Sequence, residues 1–465
     1  MNQIIKKNEE YIVEILDNGY EGEGIAKIND FVVFIPGAIK GEKVKVLIVK
    51  VTSSHAFGKI LEIIESSDSR NTNIDCSTYK RCGGCNLRHI KYEDTLKIKK
   101  EIVQNLVNKN LKANLEVKDT IGMKNPYNYR NKAQYPIGVN KDGKPQIGVF
   151  ANRTHEVIEF ENCFIQNNES QEIAKFICEY AQNNNISIYD EKIGEGLLRH
   201  IVIKIGFKTK EIMCILVING TEFKEEKNLV DALINKFPNI KTIVKNINQK
   251  NTNVILGKEN INLYGDGYIY DKLDDYTFKI SPLSFYQVNP IQTEKLYKLA
   301  LEGADLTGKE IVFDLYCGIG TIGIYMAKKA KKVYGIEIVK QAIEDAKVNC
   351  KINNITNSEY YAGDTQALLI DLIENKKIKP DIIVVDPPRK GLDNVTVENI
   401  IKIKPKKVIY ISCNPATLMR DLSKLEEAYN IQEIQPVDMF PFTSHVECVA
   451  VLKSKEEEKI TNERI

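Results

Sequence analysis

The sequence predicts an α/β protein that ends in a doubly wound parallel sheet and begins with a small β-barrel. Two observations carry this prediction. After about residue 305, five apolar runs of strand length alternate with helical stretches, which is the pattern of parallel βαβ units. Residues 10–64 instead hold short β-like runs separated by glycine turns, which fits a small antiparallel barrel.

The strand-like runs of the last region also predict how its sheet ends. The five alternating runs are IVFDLYC, VYGIEIV, SEYYAGD, DIIVVDPP and KVIYISC. Two more runs, IQEIQPVDM and HVECVAVLK, follow the fifth helical stretch. The loop between them is too short for a crossover helix, so we expect them to pair antiparallel. An antiparallel final hairpin is typical of methyltransferase sheets rather than of dinucleotide-binding sheets.

We expect three domains, because 465 residues are too many for one core. The first is an RNA-binding barrel over residues 1–64, since barrels of this size often bind oligonucleotides. A mixed α/β domain follows over 65–285, and the doubly wound domain covers 286–465. In the central domain, YRNKAQYP at 129–136 and LRHIVIK at 198–204 interleave basic, amide and aromatic side chains, which suits contact with single-stranded RNA.

Composition and charge narrow the class of protein. The N-terminus has no apolar stretch of a secretory signal, and no apolar run approaches the roughly 20 residues of a membrane helix, so we expect a cytoplasmic protein without a membrane partner. The net charge is only +2, but residues 80–132 carry 13 Lys or Arg against 5 Asp or Glu. This local excess could form a phosphate-binding surface, although charge runs are more often simply solvated faces.

The glycine loop FDLYCGIGTIG at 313–323 fits both a dinucleotide and S-adenosylmethionine. In either case Gly318 and Gly320 allow a tight turn beneath a ligand, and Glu337 at the end of the second strand accepts ribose hydroxyls. The motifs after strands four and five, DPPRKG and SCNP, have no role in hydride transfer. Asp314, an acid just before the loop, also suits the amino-acid part of S-adenosylmethionine better than a pyrophosphate. The sequence therefore favours S-adenosylmethionine over NAD.

A cysteine follows the fifth strand, at the edge where open α/β sheets bind ligands. A free cysteine is commonly a core residue, but the position of Cys413 at this edge indicates a nucleophile facing the methyl donor. A thiolate beside a methyl donor suits the C5 atom of a pyrimidine, which becomes nucleophilic only after a thiolate has added to C6. A base must then remove the C5 proton, and Glu447 at the start of the last strand is the candidate.

With these motifs the chain resembles the bacterial uracil-5 RNA methyltransferases, in particular the ribosomal-RNA branch with an N-terminal TRAM barrel and an iron–sulfur cluster. The resemblance covers nearly the whole chain and rests on SFYQVNP at 284–290, FDLYCGIG, the acid Glu337, DPPRKG, SCNP and the terminal HVE. It implies that Cys413 is the nucleophile, that Glu447 accepts the proton, and that Arg389 helps to hold the base or a loop. It also implies a set of S-adenosylmethionine contacts: Gln287, Tyr316, Glu337 and Asp386. Thr321 stands where some relatives carry Asn and is left out of that set.

The cysteines of CSTYKRCGGC predict a metal site. Cys76, Cys82 and Cys85 have the spacing C-x5-C-x2-C, and Cys163 in FENCFIQ is the candidate fourth ligand, while Cys178 and Cys214 lie in apolar periodic stretches typical of core. The residues alone leave zinc and iron–sulfur open, because both accept four thiolates. They exclude a radical S-adenosylmethionine cluster, which uses three cysteines in C-x3-C-x2-C. The resemblance implies a [4Fe–4S] cluster, and a cytoplasmic location argues against disulfides.

The predicted activity is thus S-adenosylmethionine-dependent methylation of a uridine C5 in 23S rRNA by a monomeric enzyme. One alternative is uracil-5 methylation of tRNA, which the barrel and the cysteines oppose because relatives devoted to tRNA generally lack both. The other alternative is a non-catalytic RNA-binding protein. Intact Cys413, Glu447, Asp386 and Gln287 oppose that reading.

Overall fold

The structure, a computed structural model, describes residues 5–152 and 154–457. Residues 1–4 and 458–465, the two ends of the first and third predicted domains, lie outside the described residues, as does residue 153. The described chain contains three large sheets and a two-stranded ribbon. In this part of the chain no helix is both long and apolar enough to cross a bilayer.

The first sheet forms the predicted small barrel. Its strands are β1 (Glu10–Glu14), β2 (Asp17–Asn18), β3 (Gly24–Ile28), β4 (Phe31–Ile35), β5 (Lys43–Val51) and β6 (His55–Glu65), in the order β1-β5-β6-β4-β3-β2. The ends of the sheet meet because the Leu16 amide, just after β1, donates to the Ile25 carbonyl in β3 at 2.8 Å. The expected antiparallel pairing is wrong at one place, since β4 and β6 run parallel. Strand β5 lies between β4 and β6 in the sequence and runs antiparallel to β6, so β6 returns in the direction of β4 and pairs with it in parallel.

The central region is built on a mixed sheet of seven strands. Helix α1 (Tyr92–Asn110) precedes it, and its strands are β7 (Lys132–Val139), β8 (Pro145–Phe150), β9 (Val157–Glu159), β10 (Leu198–Ile205), β11 (Ile212–Ile218), β12 (Ile240–Ile247) and β13 (Glu259–Tyr264). Helices α2 (Asn168–Asn183) and α3 (Glu226–Lys236) lie between β9 and β10 and between β11 and β12. The order is β13-β12-β11-β10-β7-β8-β9, and both helices contribute apolar residues to its core. A ribbon of β14 (Ile269–Leu273) and β15 (Tyr276–Ile280) follows.

The third sheet has the predicted doubly wound form. Its elements are α4 (Pro290–Ala304), β16 (Ile311–Leu315), α5 (Thr321–Ala327), β17 (Lys332–Glu337), α6 (Lys340–Ile352), β18 (Ser358–Ala362), α7 (Thr365–Ile370) with a π-helical turn (Asp371–Asn375), β19 (Ile382–Val385), α8 (Asn394–Ile403), β20 (Lys407–Ser412), α9 (Pro415–Leu425), β21 (Tyr429–Val437) and β22 (Glu447–Ser454). The strand order is β18-β17-β16-β19-β20-β22-β21. The first five strands are parallel, and β22 runs antiparallel to both of its neighbours, which confirms the predicted α/β class and closing hairpin.

Helix α1 packs on the third sheet although it lies far from that sheet in sequence. Its residues Val103 and Val107 belong to the same apolar core as the residues of α9 and β21. Within this contact the ammonium group of Lys99 pairs with the carboxylate of Asp438, and both side chains are fully buried. Since a buried charge must keep its partner, this pair fixes α1 against the end of β21.

Candidate active site

Three predicted residues meet at the carboxyl edge of the third sheet. Asp386 directly follows β19, Cys413 directly follows β20, and Glu447 is the first residue of β22. Strands β19 and β20 are parallel neighbours, and in the β20–β22 pair Ser412 lies opposite Cys448. The next position of this antiparallel register places Cys413 opposite Glu447. The structure therefore brings the predicted nucleophile and the predicted base side by side.

Burial and mutual repulsion raise the pKa values of all three acids in this group. Burial, the Glu447 carboxylate and the Asp386 carboxylate raise the pKa of Cys413 to about 12, while Arg389 opposes them. Burial and Asp386 raise the pKa of Glu447 well above its ordinary value, and only 2% of Glu447 is exposed. Burial raises the pKa of Asp386 to about 7. Two carboxyl groups and a thiol lie close together where water has little access, so each of them holds its proton more tightly than it would in water.

Arg389 and the residues that anchor it border this group. The Arg389 carbonyl accepts hydrogen bonds from the Asn414 side-chain amide at 3.1 Å and from the Thr417 hydroxyl at 3.2 Å. Its exposed guanidinium lies 3.4 Å from Nε2 of His445, where burial and the Arg389 charge lower the pKa of the imidazole to about 4. Asn414 also caps α9, since its side-chain oxygen accepts from the Ala416 amide at 3.1 Å. Helix capping thus fixes the backbone beside Cys413.

The glycine loop and Glu337 form a cradle next to this group. Gly318 and Gly320 have positive φ of 54° and 80°, and among the described residues no atom lies within 4 Å of a Cβ built on Gly318, so the outer side of the loop is open. The Glu337 carboxylate accepts from the Gly318 amide at 3.2 Å and from the Val339 amide at 2.9 Å. This arrangement leaves a half-buried carboxylate at the edge of an open loop, where a ribose can be bound.

Asp314 lies fully buried behind the same loop. Among the described residues neither of its carboxyl oxygens has a hydrogen-bond partner. Burial raises the pKa of Asp314 to about 8, and the Gly323 amide offsets part of this without reaching hydrogen-bonding geometry. A buried acid without a partner is costly, so the position indicates a cationic or hydrogen-bonding ligand.

The two remaining predicted cofactor contacts come from two different segments. Gln287 is almost fully buried before α4, where its carbonyl accepts from the Asn131 side chain at 3.0 Å. Tyr316 directly follows β16 with a φ of 65°, and its half-buried ring belongs to the apolar core that includes residues of α8. Sequence reasoning missed Tyr297, whose buried hydroxyl lies 3.0 Å from the Thr321 hydroxyl. Its signal was weak, because a tyrosine inside an amphipathic helix normally indicates core.

The four predicted ligand cysteines line one cavity in the central region. Cys76, Cys82, Cys85 and Cys163 face a space of about 170 Å³ that Arg88 and Phe150 also border. Over the part of the chain that the structure describes, no three His, Cys, Asp or Glu side chains lie close enough to hold a single metal ion. Cys178 and Cys214 lie in the core of the second sheet, as expected. The predicted set of four is therefore spatially adjacent, with room between its members.

The central segments expected to stack on RNA bases turn out to be largely buried. Tyr129 and Tyr135 are each 1% exposed, and the Tyr135 ring stacks on Phe160 at 5.6 Å. Arg199 and His200 are also buried in β10. These two tyrosine rings cannot stack on a base, so that part of the hypothesis is wrong. Alternating polar and aromatic residues on a strand fit an RNA-binding face and a two-sided core equally well.

Comparison with known proteins gives matches over nearly the whole chain. A family described as tRNA (Uracil-5-)-methyltransferase matches residues 91–455, and the TRAM domain family matches residues 6–61. The chain is 48% identical to a protein of Clostridium acetobutylicum named as an uncharacterized RNA methyltransferase, over 97% of this chain and 98% of that protein. A protein of Clostridium tetani with the same description is 46% identical, over 96% and 97% of the two chains.

A solved structure shares the overall architecture. The Pyrococcus abyssi tRNA (uracil-54, C5)-methyltransferase in complex with S-adenosyl-L-homocysteine superposes with a TM-score of 0.76 and 27% sequence identity. The match covers 95% of this chain and 100% of that one. S-Adenosyl-L-homocysteine is what remains of S-adenosylmethionine once its methyl group has been transferred.

Proposed function

The chain belongs to the family of RNA uracil-5 methyltransferases, which take their methyl group from S-adenosylmethionine, and we propose that its substrate is a uridine of 23S ribosomal RNA. One observation carries the proposed chemistry: Cys413 and Glu447 occupy facing positions at the carboxyl edge of the third sheet. A thiol and a carboxyl group in neighbouring positions can act in turn on C6 and C5 of one pyrimidine ring.

In the proposed mechanism Cys413 is the nucleophile. Its sulfur adds to C6 of the uracil, the 5,6-double bond opens, and the electron pair gives C5 enolate character. C5 then accepts the methyl group that bound S-adenosylmethionine supplies. Glu447 removes the remaining proton from C5, the double bond re-forms, and the C6–S bond breaks to return the thiol. The raised pKa of Glu447 makes its carboxylate a strong base for this proton.

Two charged groups have supporting roles in this scheme. Arg389 favours the thiolate form of Cys413, and it favours the carboxylate form of Glu447 in the same way. It is the cation that offsets the two acids when negative charge builds up on the uracil ring. A uridine inside folded RNA would have to turn out of its stack to reach Cys413.

For the cofactor we propose a site along the glycine loop, with Glu337, Gln287, Tyr316 and Asp386 as its contacts. The open side of the Gly318 loop and the neighbouring Glu337 carboxylate fit the ribose. The buried Asp314, with no partner among the described residues, fits the ammonium group of the methionine part. In this proposal one carboxyl group binds the ribose hydroxyls and another binds the ammonium group.

We further propose that Cys76, Cys82, Cys85 and Cys163 hold a [4Fe–4S] cluster. In such a cluster each cysteine binds a different iron, so the four sulfurs surround a larger body than one zinc ion. Four thiols around a cavity of about 170 Å³ leave room for the larger body. When bound, the cluster would join residues 76–85 to residue 163 by iron–sulfur bonds.

The choice of 23S rRNA rests on the resemblance of the barrel and the four cysteines to the ribosomal branch. tRNA is the second candidate, because the similar Pyrococcus abyssi enzyme is named for uracil 54 of tRNA. That match spans 95% of this chain, so the fold alone does not separate the two substrates. An enzyme acting on either RNA in a bacterium would work in the cytoplasm, which is where we place it.

A single reaction tests the proposed function. Purified enzyme is incubated with S-adenosylmethionine and with 23S rRNA or bulk tRNA from a strain that lacks the gene. Mass spectrometry of the digested RNA should then show new 5-methyluridine in 23S rRNA alone. Methylation of tRNA with unchanged rRNA would make tRNA the substrate. No 5-methyluridine in either RNA, from folded enzyme that binds S-adenosylmethionine, would refute the activity.

A further inference from the structure

The loop between β2 and β3 brings the first sheet to the candidate active site. The Tyr20 hydroxyl in this loop donates a hydrogen bond to the side-chain oxygen of Asn414 at 3.0 Å. Asn414 directly follows Cys413, and its amide group donates to the carbonyl of Arg389. A residue of the barrel therefore lies one hydrogen bond away from the backbone that carries the nucleophile.

The two residues after Tyr20 hold the β2–β3 loop in this position through close contacts with residues 86 and 87. The Glu21 carbonyl accepts from the side-chain amide of Asn86 at 2.5 Å, and the same amide donates to the Ser444 hydroxyl at 2.8 Å. Gly22 has a φ of 84°, and a Cβ there would lie 2.2 Å from Cδ2 of Leu87. Only a glycine permits both this backbone conformation and this approach. The position of Tyr20 is thus set by a docked loop rather than by one exposed side chain.

Tyr20 is only partly buried in the protein. Burial raises the pKa of Tyr20, the neighbouring thiols of Cys448 and Cys413 add to this effect, and Arg389 opposes it. Even so, 43% of the residue is exposed. The hydroxyl is anchored beside the nucleophile while part of the ring faces outward. In proteins that bind single-stranded RNA, exposed aromatic rings of this kind stack on unpaired bases.

We propose that Tyr20 is a substrate-binding residue whose ring stacks on a base next to the target uridine at the edge of the candidate active site. The inference rests on the proposed function, because it needs an RNA base to enter beside Cys413. It gives the barrel a specific role: besides any general affinity for RNA, it supplies one wall of the site. Stacking on the flanking base helps to keep the target nucleotide turned out of its own stack.

Steady-state kinetics with three variants test this role. Tyr20→Ala should lower kcat/KM for the RNA by about 5- to 160-fold, the range for losing one base–aromatic stack, with unchanged affinity for S-adenosylmethionine. Tyr20→Phe keeps the ring and should stay within about twofold of the wild type. Tyr264→Ala is the matched control, since Tyr264 is 40% exposed but lies on the edge strand β13 of the second sheet. It should leave the kinetics unchanged. If Tyr20→Phe loses as much activity as Tyr20→Ala, the bond to Asn414 matters and the stacking role is wrong.

A measurement on the unaltered protein keeps the test independent of variant folding. RNA with 5-fluorouridine at the target position is trapped on the wild-type enzyme, irradiated with ultraviolet light and digested. Mass spectrometry should find a nucleotide flanking the target cross-linked to the peptide that contains Tyr20. Failure of the wild type to trap RNA would refute the proposed function. Trapped RNA without this cross-link, together with normal kinetics of Tyr20→Ala, would refute the stacking role alone.

Discussion

Replacing Glu447 by Gln should separate the two halves of the proposed reaction. The substitution keeps the size of the side chain but removes the carboxylate that faces Cys413. The nucleophile remains, so addition to C6 and methylation of C5 can proceed. Removal of the C5 proton loses its base, and the bond between the enzyme and RNA can break only after that proton has gone. We therefore expect a methylated RNA that stays covalently attached to the enzyme.

The expected amount of covalently attached enzyme follows from how much the loss of the base slows elimination. Loss of a positioned general base slows proton transfer by about 10²- to 10⁴-fold. If addition and elimination are equally fast in the wild type, a hundredfold slower elimination leaves about 99% of the engaged enzyme attached at steady state. Addition is not slowed in parallel, because after burial the Glu447 carboxylate is the strongest influence that raises the pKa of Cys413. Without it the thiolate forms more readily.

The raised pKa of Cys413 also predicts how the rate of adduct formation depends on pH. A pKa of about 12 leaves the Cys413 thiol protonated at neutral pH, and the thiolate becomes more populated as the pH rises. The rate of adduct formation with 5-fluorouridine RNA should thus rise between pH 6.5 and 9 in the wild type, by up to about tenfold per unit. The Gln variant should reach the same rates at lower pH.

Denaturing gel electrophoresis with labelled RNA measures the attached species, and quenched-flow sampling measures its rate of formation. Cys413→Ala is the control: it should bind RNA and S-adenosylmethionine yet give neither product nor adduct. Turnover of Glu447→Gln at the wild-type rate without an adduct would show that another group removes the proton. Methylation by Cys413→Ala would refute the covalent route altogether.

Three further results are expected. Glu337→Gln should weaken binding of S-adenosylmethionine by roughly 1.5–3 kcal/mol in a calorimetric titration, the scale for hydrogen bonds to a charged group, and NAD should not bind to the wild type. Protein purified without oxygen should be brown with about four irons per chain. Cys163→Ser should abolish the colour and Cys178→Ser should not, whereas colourless protein with one zinc would exclude the cluster. Asp438→Ala should lower the free energy of unfolding by about 3–5 kcal/mol in urea denaturation, because it leaves the buried Lys99 ammonium unpaired.

The third sheet and its active-site edge could be predicted from sequence because their signals are local. Each parallel strand is a continuous apolar run, and the polar residues that follow Val385 and Ser412 must appear at one edge of the sheet. The facing positions of Cys413 and Glu447 follow from the same pattern once the last hairpin is antiparallel. Here strand period and topology rules determine which side chains meet.

Other features depend on contacts between distant segments and carry no local signal. The parallel pairing of β4 with β6 requires knowledge of how the barrel closes. The burial of Tyr135 depends on the packing of α2 on the second sheet, and that of Tyr129 depends on the distant loop that contains Phe442. Tyr20 lies in a glycine-rich turn that any small barrel could carry, and only the docking of that turn on Leu87 shows where its ring lies. Local sequence preferences determine the helices and strands. Contacts between distant segments determine the pairing of β4 with β6, the burial of the two tyrosines and the position of Tyr20.

Four consecutive residues, 85–88, link the cysteine cavity, the barrel loop and the segment that precedes Glu447. Cys85 lines the cysteine cavity, and Asn86 bonds both the barrel loop and Ser444. The Leu87 amide donates to the Phe442 carbonyl at 3.0 Å, and the Arg88 guanidinium lies 4.7 Å from the centre of the Phe442 ring. Residues 442–446 lead directly into Glu447. A shift of this short segment would therefore move the barrel loop and the loop before the proposed base Glu447 together, because both are bonded to the Asn86 side chain.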